Sequence, residues 1–513
     1  MHTIRKTGIT IAILNIPQAM AYASLAGVPA VVGLYTSFLP PLLYAIFGTS
    51  KHVSLGMFAV IALMVGNVEQ KHGASLNWHQ NSSAFTPDNN VNDLQSVQLV
   101  ACLTFAVGIV LAIMALCQFH IISVYLTDPL IGGFTTAAAF HVLWSQIPKM
   151  FALKLATRNG LFKLFYIIYD FFGQIKNTNL PDLTLTIVCL IFLYVGKIYI
   201  NPLVAKKCPV PIPFDLIVEV RALAMCQMIA SFLFCMPASG GLSRSTLNAQ
   251  LGTKSQISSI VAASLMLTVI LWFGPLLYDL PTSVLSAIVA IALRPMFRQF
   301  LQLQQLWKTS IYDFLIWIVT FMVTIVWDVS EGLICAIGFA LLTVIIRVQY
   351  PQTAQQAKIG DTDVYRDYHR YVSQSIIPHV LIYRFNAPLL FLNCDLFISR
   401  GIELVEKTNA ELNGLKDSKK ELHTKFLILE SAAITNLDNM GAEALKKFVV
   451  GLKKTFNVQL LVASPTAQFQ QMCYACEIYA VIPKSMFFPT IHDAILYTSE
   501  EHAIEKDGEV IHI

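Results

Sequence analysis

The sequence predicts a polytopic α-helical membrane protein, built on an inverted repeat, followed by a small α/β domain. Three observations carry that expectation. The first is composition: of 513 residues, 55% are hydrophobic and only 13% charged, with a mean hydropathy of +0.61. A soluble domain carries about 25% charged residues, so most of this chain is suited to lipid. The second is where the apolar runs stop, near Val348, beyond which the pattern turns charged and alternating. The third is a pair of interrupted apolar segments, one in each half, at Ser54–Ala59 and Ser239–Ser245. Interrupted segments in matching positions point to an inverted-repeat transporter with its site at the membrane midplane.

Apolar length and Pro/Gly breaks place spans at 8–26, 31–48, 54–68, 96–117, 122–147, 181–200, 213–236, 256–277, 282–297, 311–328 and 331–348. A half-helix fits 243–253. Several are too short to cross alone, which is tolerable only where backbone lines a cavity. The run Gly8–Val32 is long enough to span and holds Pro17 and Gln18, so it does not read as a cleavable leader. Lys51, Lys197, Lys206, Lys207, Arg294, Arg298, Lys308 and Arg347 fall on one side, which the positive-inside rule makes cytosolic, together with both termini. Glu69, Asp88, Asp93, Asp279, Asp328 and Glu331 fall on the other. The polar loop 70–95 is then outside, where the sequon Asn81-Ser82-Ser83 suits N-glycosylation. Lys149, Lys154, Arg158 and Lys163 run against the rule, in a loop assigned to the outside.

The chemistry concentrates at Ser239-Gly240-Gly241-Leu242-Ser243-Arg244-Ser245. An arginine at bilayer depth costs roughly 2.5–3.5 kcal/mol, so it seldom persists there without a task. The glycine break lets a helix begin near Ser243, where free N–H groups, the positive dipole end and a guanidinium converge. Such a convergence suits a small anion. The earlier segment, Ser54-Leu55-Gly56-Met57-Phe58-Ala59, opens another helix with small residues and no charge. For Arg244 the rival readings are snorkelling and neutralisation of a buried acid.

Beyond about residue 377 the pattern alternates. His379–Phe385, Leu389–Leu392, Lys425–Glu430 and Val458–Ala463 read as strands; 395–413 and Asn439–Lys454 read as helices. The ten cysteines stand mostly alone in apolar segments and suit small buried hydrophobes. Cys473-Tyr474-Ala475-Cys476 has redox or metal spacing, but no second pair or histidine completes it. No metal cluster, nucleotide loop or basic stripe appears, and a net charge of +4 gives no case for nucleic acid. No cofactor is expected.

Ile16-Pro17-Gln18-Ala19-Met20-Ala21-Tyr22-Ala23, Gly33-Leu34-Tyr35-Thr36-Ser37, Phe47-Gly48-Thr49-Ser50-Lys51-His52 and Ser243-Arg244-Ser245, in this order, resemble the SulP-type anion transporters over nearly the whole chain. That family includes sulfate permeases, chloride/bicarbonate exchangers and prestin. The tail is similar to its cytosolic STAS domain. The resemblance implies a seven-plus-seven inverted repeat divided into core and gate bundles, a homodimer held partly through STAS domains, and STAS-bound cytosolic partners. It implies an anion site formed by Gln18 and Tyr22 of span one, Gly56, Met57, Phe58 and Ala59 at the start of span three, and Ser243 and Arg244 at the start of span ten. Read from the residues alone, Gln18 also suits an interhelical hydrogen bond, Tyr22 ordinary packing and Ser243 a plain N-cap. Asp215 suits either a coupling acid or a dipole-favoured helix start. The implied domains are a transporter at 1–350, a linker at 351–376, a STAS domain at 377–502 and a tail at 503–513.

The chain departs from the family in three places. Val220 and Arg221 join two stumps between which the family carries several tens more residues, so 213–236 reads as a single span holding Glu219 and Arg221. About two crossings are thereby missing, including one that lines the site, though parity is preserved. The chain begins almost at span one. Finally, Leu437-Asp438-Asn439-Met440-Gly441 lacks the phosphorylatable serine of bacterial STAS relatives, and Asp438 and Asn439 read as helix-start residues. A splice form, an incomplete gene model or a degenerate member would each produce the join. Two classes of function remain: a non-enzymatic plasma-membrane carrier of sulfate, chloride, bicarbonate or oxalate working by elevator motion, or a non-transporting scaffold acting through the STAS domain. A prestin-like motor is a variant of the first.

Overall fold

The computed structural model describes residues 2–48, 50, 52–75, 89–117, 126–153, 155, 160–195, 216–241, 244, 245, 248, 255–273, 281–360, 362–368, 374, 375, 377, 379–414 and 423–509. They form two compact units, Met1–Leu341 and Leu342–Ile513. Asn81, Lys154, Arg158, Asp215 and Ser243 lie outside the described residues.

The first unit is helical. Helix α1 (His2–Leu25) carries Pro17 in its interior, and α2 (Ala30–Phe47) starts directly after Pro29, whose φ of −54° pre-sets the turn. The two cross closely: a Cβ on Gly33 would stand 2.2 Å from the Ala19 carbonyl oxygen, so only glycine allows this approach. A two-residue strand β1 (Leu55–Gly56) leads into α3 (Ala59–Ser75). There follow α4 (Asn89–Leu116), α5 (Asp128–Met150), α6 (Lys163–Gln174), α7 (Leu180–Val195) and α8 (Leu216–Ser231). Strand β2 (Ser239–Gly240), α9 (Ile257–Thr268), α10 (Thr282–Ala292), α11 (Gln302–Thr309), α12 (Ile311–Val326) and α13 (Val329–Gln349) complete the unit. Four helical stretches are long and apolar enough to cross a bilayer, namely Ala30–Phe47, Leu94–Leu116, Thr282–Thr309 and Val329–Gln349. Large apolar side chains such as Ile46, Leu116 and Ile334 are left exposed on their flanks, as lipid-facing positions require.

The helices sort into two groups. Helices α1, α2, α3, α4, α8 and α9 pack on one another; α5, α6, α7, α10, α11 and α12 form the second group. α13 joins the second through Ala336 and Ala340, packed with Leu130 and Ile316. The groups meet where α1 lies on α10 and α3 on α5. Within the joined stretch expected at 213–236, Leu216–Ser231 form one helix, α8, which packs along α4. Irregular backbone follows it, and side chains satisfy its polar groups, as membrane depth demands. Thr104 Oγ1 donates to the Cys235 carbonyl at 2.9 Å, and Met236 N–H donates to Thr36 Oγ1 at 2.9 Å. Gln227 brackets Ala238, accepting from its N–H at 3.1 Å and donating to its carbonyl.

The four outlying cations are partly explained. Lys149 Nζ donates to the Ser24 carbonyl at 3.2 Å, capping an orphan acceptor in the last turn of α1. Lys163 opens α6, an amphipathic helix within the stretch read as a loop, and its ammonium is held by Asn67 and Asp328. A lysine committed to an internal partner gives no information about sidedness.

The second unit is a sheet with helices on both faces. Its strands are β3 (Thr353–Ile359), β4 (Tyr365–Asp367), β5 (Gln374–Ser375), β6 (Val380–Phe385), β7 (Phe426–Glu430), β8 (Gln459–Ala463) and β9 (Phe487–Phe488). They run in the order β4-β3-β6-β7-β8-β9, with β5 on β3. β6 to β9 are parallel and β3 is antiparallel to β6. Helices α14 (Cys394–Gly414), α15 (Asn439–Phe456) and α16 (Ala467–Ala475) connect the parallel strands, and α17 (Ile491–Glu509) closes the unit. Alternation along the strands sorts the faces. Tyr383, Leu427 and Leu429 meet Phe397, Leu445 and Phe448 on one side. Ile382, Ile428 and Leu461 meet Ile491, Ala494 and Ile495 on the other.

Three sequence expectations change here. The supposed linker 351–376 contributes β3, β4 and β5; polar β3 (Thr-Ala-Gln-Gln-Ala-Lys-Ile) lacks the apolar signal of a strand. Leu389–Leu392 is no strand. Leu389 makes a single bridge with Leu437, and then Leu390 and Phe391 turn, donating their N–H groups to Asn393 Oδ1 and Asp438 Oδ2. The tail expected from 503 is still helix α17, through Glu509.

Candidate anion-binding site

The two interrupted segments meet. β1 and β2 pair antiparallel, Leu55 opposite Gly240 and Gly56 opposite Ser239. Around this ladder the chain is stitched reciprocally. Gly241 N–H donates to the Ser54 carbonyl at 3.0 Å, and Ser54 N–H donates to Ser245 Oγ at 3.1 Å. Asn248 Nδ2 donates to the His52 carbonyl at 3.1 Å, and the Gln256 amide donates to the Ser50 carbonyl. The Ser50 and His52 carbonyls thus serve as backbone anchors for the second segment. Ser245 N–H also donates to the Gly241 carbonyl at 2.7 Å, and Arg244 and Ser245 are helical.

Arg244 sits inside this stitch, only 4% exposed. Its Nη2 donates to the Met57 carbonyl at 3.0 Å and its Nη1 to Asn15 Oδ1 at 2.9 Å. Its Nε is buried without a hydrogen-bond partner. No Asp or Glu pairs with it among the described residues. The rival readings of Arg244 therefore lose ground: the guanidinium is enclosed, and the groups it touches are neutral. Backbone at Gly56 leaves room for it. Gly56 has φ +152°, and a Cβ there would lie 2.9 Å from Nη2; a side chain would be strained and would push the guanidinium away.

Tyr22, Met57 and Ala59 are buried in one apolar cluster, and Phe58 packs against it half-buried. Gln18 is half-buried on the same helix and has no hydrogen-bond partner among the described residues. The structure thus brings Met57 and Gly56 against Arg244 and places Tyr22 in the wall beside them. Asn15 was missed. Its signal was in the spacing, because Asn15, Gln18 and Tyr22 follow the i, i+3, i+7 rule and share one helical face. The first N–H groups of α3, beginning at Ala59, have no intrahelical acceptor. Arg244 is thus held by the carbonyl of Met57, two residues before α3 begins.

The chain as a whole is similar to known proteins. A family model described as the sulfate permease family matches residues 6–220 and 218–320. The chain belongs to the sulfate permease family. A STAS domain model matches residues 371–494, so this family member is a multi-pass membrane protein with a STAS domain at its C-terminal end. The two matched pieces overlap at residues 218–220, beside the join expected at Val220–Arg221. Prestin from Danio rerio is 30% identical over 531 aligned positions, covering 88% of this chain and 71% of that protein. Human solute carrier family 26 member 6 is 28% identical, covering 82% of this chain and 64% of that one. The chain therefore spans about two thirds of the length of such relatives. The solved murine Slc26a9 anion transporter in the inward-facing state has a TM-score of 0.83 at 23% identity, covering 98% of this chain and 92% of that chain. At that identity the likeness concerns the fold.

Proposed function

We propose that this chain is a secondary active anion carrier of the plasma membrane, exchanging sulfate, chloride, bicarbonate or oxalate. The observation that supports it most is the charge state around Arg244. A buried guanidinium with neutral partners and an unsatisfied Nε lacks a counter-charge among the described residues, and a desolvated small anion supplies one. The anion sits between the start of α3 and the segment carrying Arg244, under Gln18 and Tyr22. Charge and cavity shape select it, and no bond is made or broken, so the protein is not an enzyme. The helix group holding α1 and α3 acts as the core and the other as the gate, and an elevator-type displacement carries the anion across. The protein works as a homodimer held partly by its STAS domains, with both termini cytosolic and Asn81 glycosylated outside.

Uptake of radiolabelled sulfate and chloride, measured with surface biotinylation, tests this reading. Uptake by the surface-delivered chain is expected, with Arg244→Ala abolishing it at unchanged surface level. Surface arrival without uptake would favour a second reading, a non-transporting scaffold acting through its STAS domain. That reading draws on the join at 218–220, where the family match breaks.

A further inference from the structure

The membrane unit holds a second buried polar cluster, to which the site above assigns no role. Asn67, on α3, donates its amide to both carboxylate oxygens of Asp328, at 3.2 and 3.1 Å. Its own oxygen accepts from Lys163 Nζ at 2.7 Å, and that ammonium stands 4.0 Å from Asp328 Oδ2. Both charged side chains are nearly enclosed, at 11% and 12% exposure. Asp328 also caps α13, its Oδ1 accepting from Val329 N–H at 2.8 Å. Behind the cluster, His141 of α5 pairs through Nε2 with the Thr324 carbonyl at 2.8 Å.

The origin of each group is what matters. Lys163 and Asp328 open α6 and α13, in one helix group. Asn67 comes from α3, in the group that carries the Arg244 site, and α3 meets the other group along α5. Asn67 lies eight residues past Ala59, about 12 Å along α3 from the anion site. An enclosed ion pair at this separation needs hydrogen bonds to complete it, and here the completing amide crosses the seam. Sliding one group past the other by a single helical turn, about 5 Å, would carry that amide out of hydrogen-bond reach. The lysine and the carboxylate would stay together. Opening therefore strands no charge and breaks only amide-to-ion bonds.

We infer that Asn67, Asp328 and Lys163 form a latch between the two helix groups, closed in this conformation and opened by relative motion of the groups. Its purpose rests on the transport reading above; its existence does not. Replacing Asn67 in the full-length chain in lipid nanodiscs tests it by hydrogen exchange. Asn67→Leu should speed amide exchange in residues 68–75 and in the first turn of α13 by about tenfold, the effect of losing a hydrogen bond to a charged group. The STAS sheet should not respond, and Asn67→Gln, which keeps the amide, should exchange as the wild type does. Exchange unchanged in Asn67→Leu would overturn the latch. In a variant stripped of native cysteines, oxidising Asn67→Cys with Asp328→Cys should stop labelled-sulfate flux, and reduction should restore it. Flux persisting through complete cross-linking would also overturn it. A wild-type chain that carries no sulfate or chloride tells against transport, and the exchange result then decides the latch alone.

Discussion

Replacing Arg244 with methionine separates a structural arginine from an anion ligand, because the two roles differ in sign. Methionine keeps the length of the side chain and removes its charge. In the anion-free protein the change relieves the desolvation of an unpaired guanidinium, worth several kcal/mol. It also strands two acceptors, Asn15 Oδ1 and the Met57 carbonyl, at about 1–3 kcal/mol each. The two nearly cancel, so Arg244→Met should melt close to wild type in a buffer whose anion is too large to enter, such as gluconate. Adding sulfate or chloride at a hundred times its Kd stabilises the wild type by about 2.7 kcal/mol, on the order of 3–5 °C for a unit of this size. Arg244→Met should show no such rise. Thermal unfolding of the purified chain, followed by intrinsic tryptophan fluorescence during anion titration, measures both quantities. A variant that keeps the anion-dependent rise would refute the ligand role. A variant that loses more than about 4 kcal/mol without anion would mean that the guanidinium is a structural tie.

Gly56→Ala should weaken apparent anion affinity in uptake assays by about tenfold or more, since its Cβ would displace Nη2 from the Met57 carbonyl. In the second unit, Asp438 Oδ1 accepts from Gly441 N–H at 2.7 Å as the N-cap of α15, so Asp438→Ala should cost about 1 kcal/mol in chemical denaturation of the STAS sheet. Burial pushes the Tyr383 phenol up. A folded-state value above the unfolded one gives stability that is complete below about pH 10 and fades as pH rises further. Tyr383→Phe should therefore flatten the alkaline limb of the STAS unfolding curve. Burial likewise pushes the Cys473 thiol up to about 12, so a maleimide at pH 8 should label half-buried Cys476 well before Cys473, as mass spectrometry of the peptide would show.

Membrane architecture was legible because lipid imposes one rule on every residue of a span, and composition records it. Arg244 was legible for the opposite reason, as a charge where the rule forbids one. Its anchors were harder to see. Asn15 is a small polar residue in an apolar helix, and only its register with Gln18 and Tyr22 marks it. Ser245 and Gln256 act on backbone far away in sequence, which no local pattern encodes. Lys163 stood against the orientation argument because a lysine with an internal partner carries the same letter as one at a lipid headgroup. In the STAS unit, the apolar strands β6, β7 and β8 were readable as buried, whereas β3 is polar and acquires its partners only when β6 is beside it.

The pairing of β1 with β2 has a consequence for how such a gene tolerates damage. Leu55 and Gly240 are far apart in the chain, yet they are tied to each other directly by a backbone ladder. The join at Val220–Arg221 falls between them, and the ladder still closes around Arg244. A centre stitched by its own main chain is insulated from exon-sized losses in the connecting segments. Helices can be lost in between while the chemistry at the crossing point keeps its shape, leaving later selection free to rebuild the wall around it or to find the remnant another use.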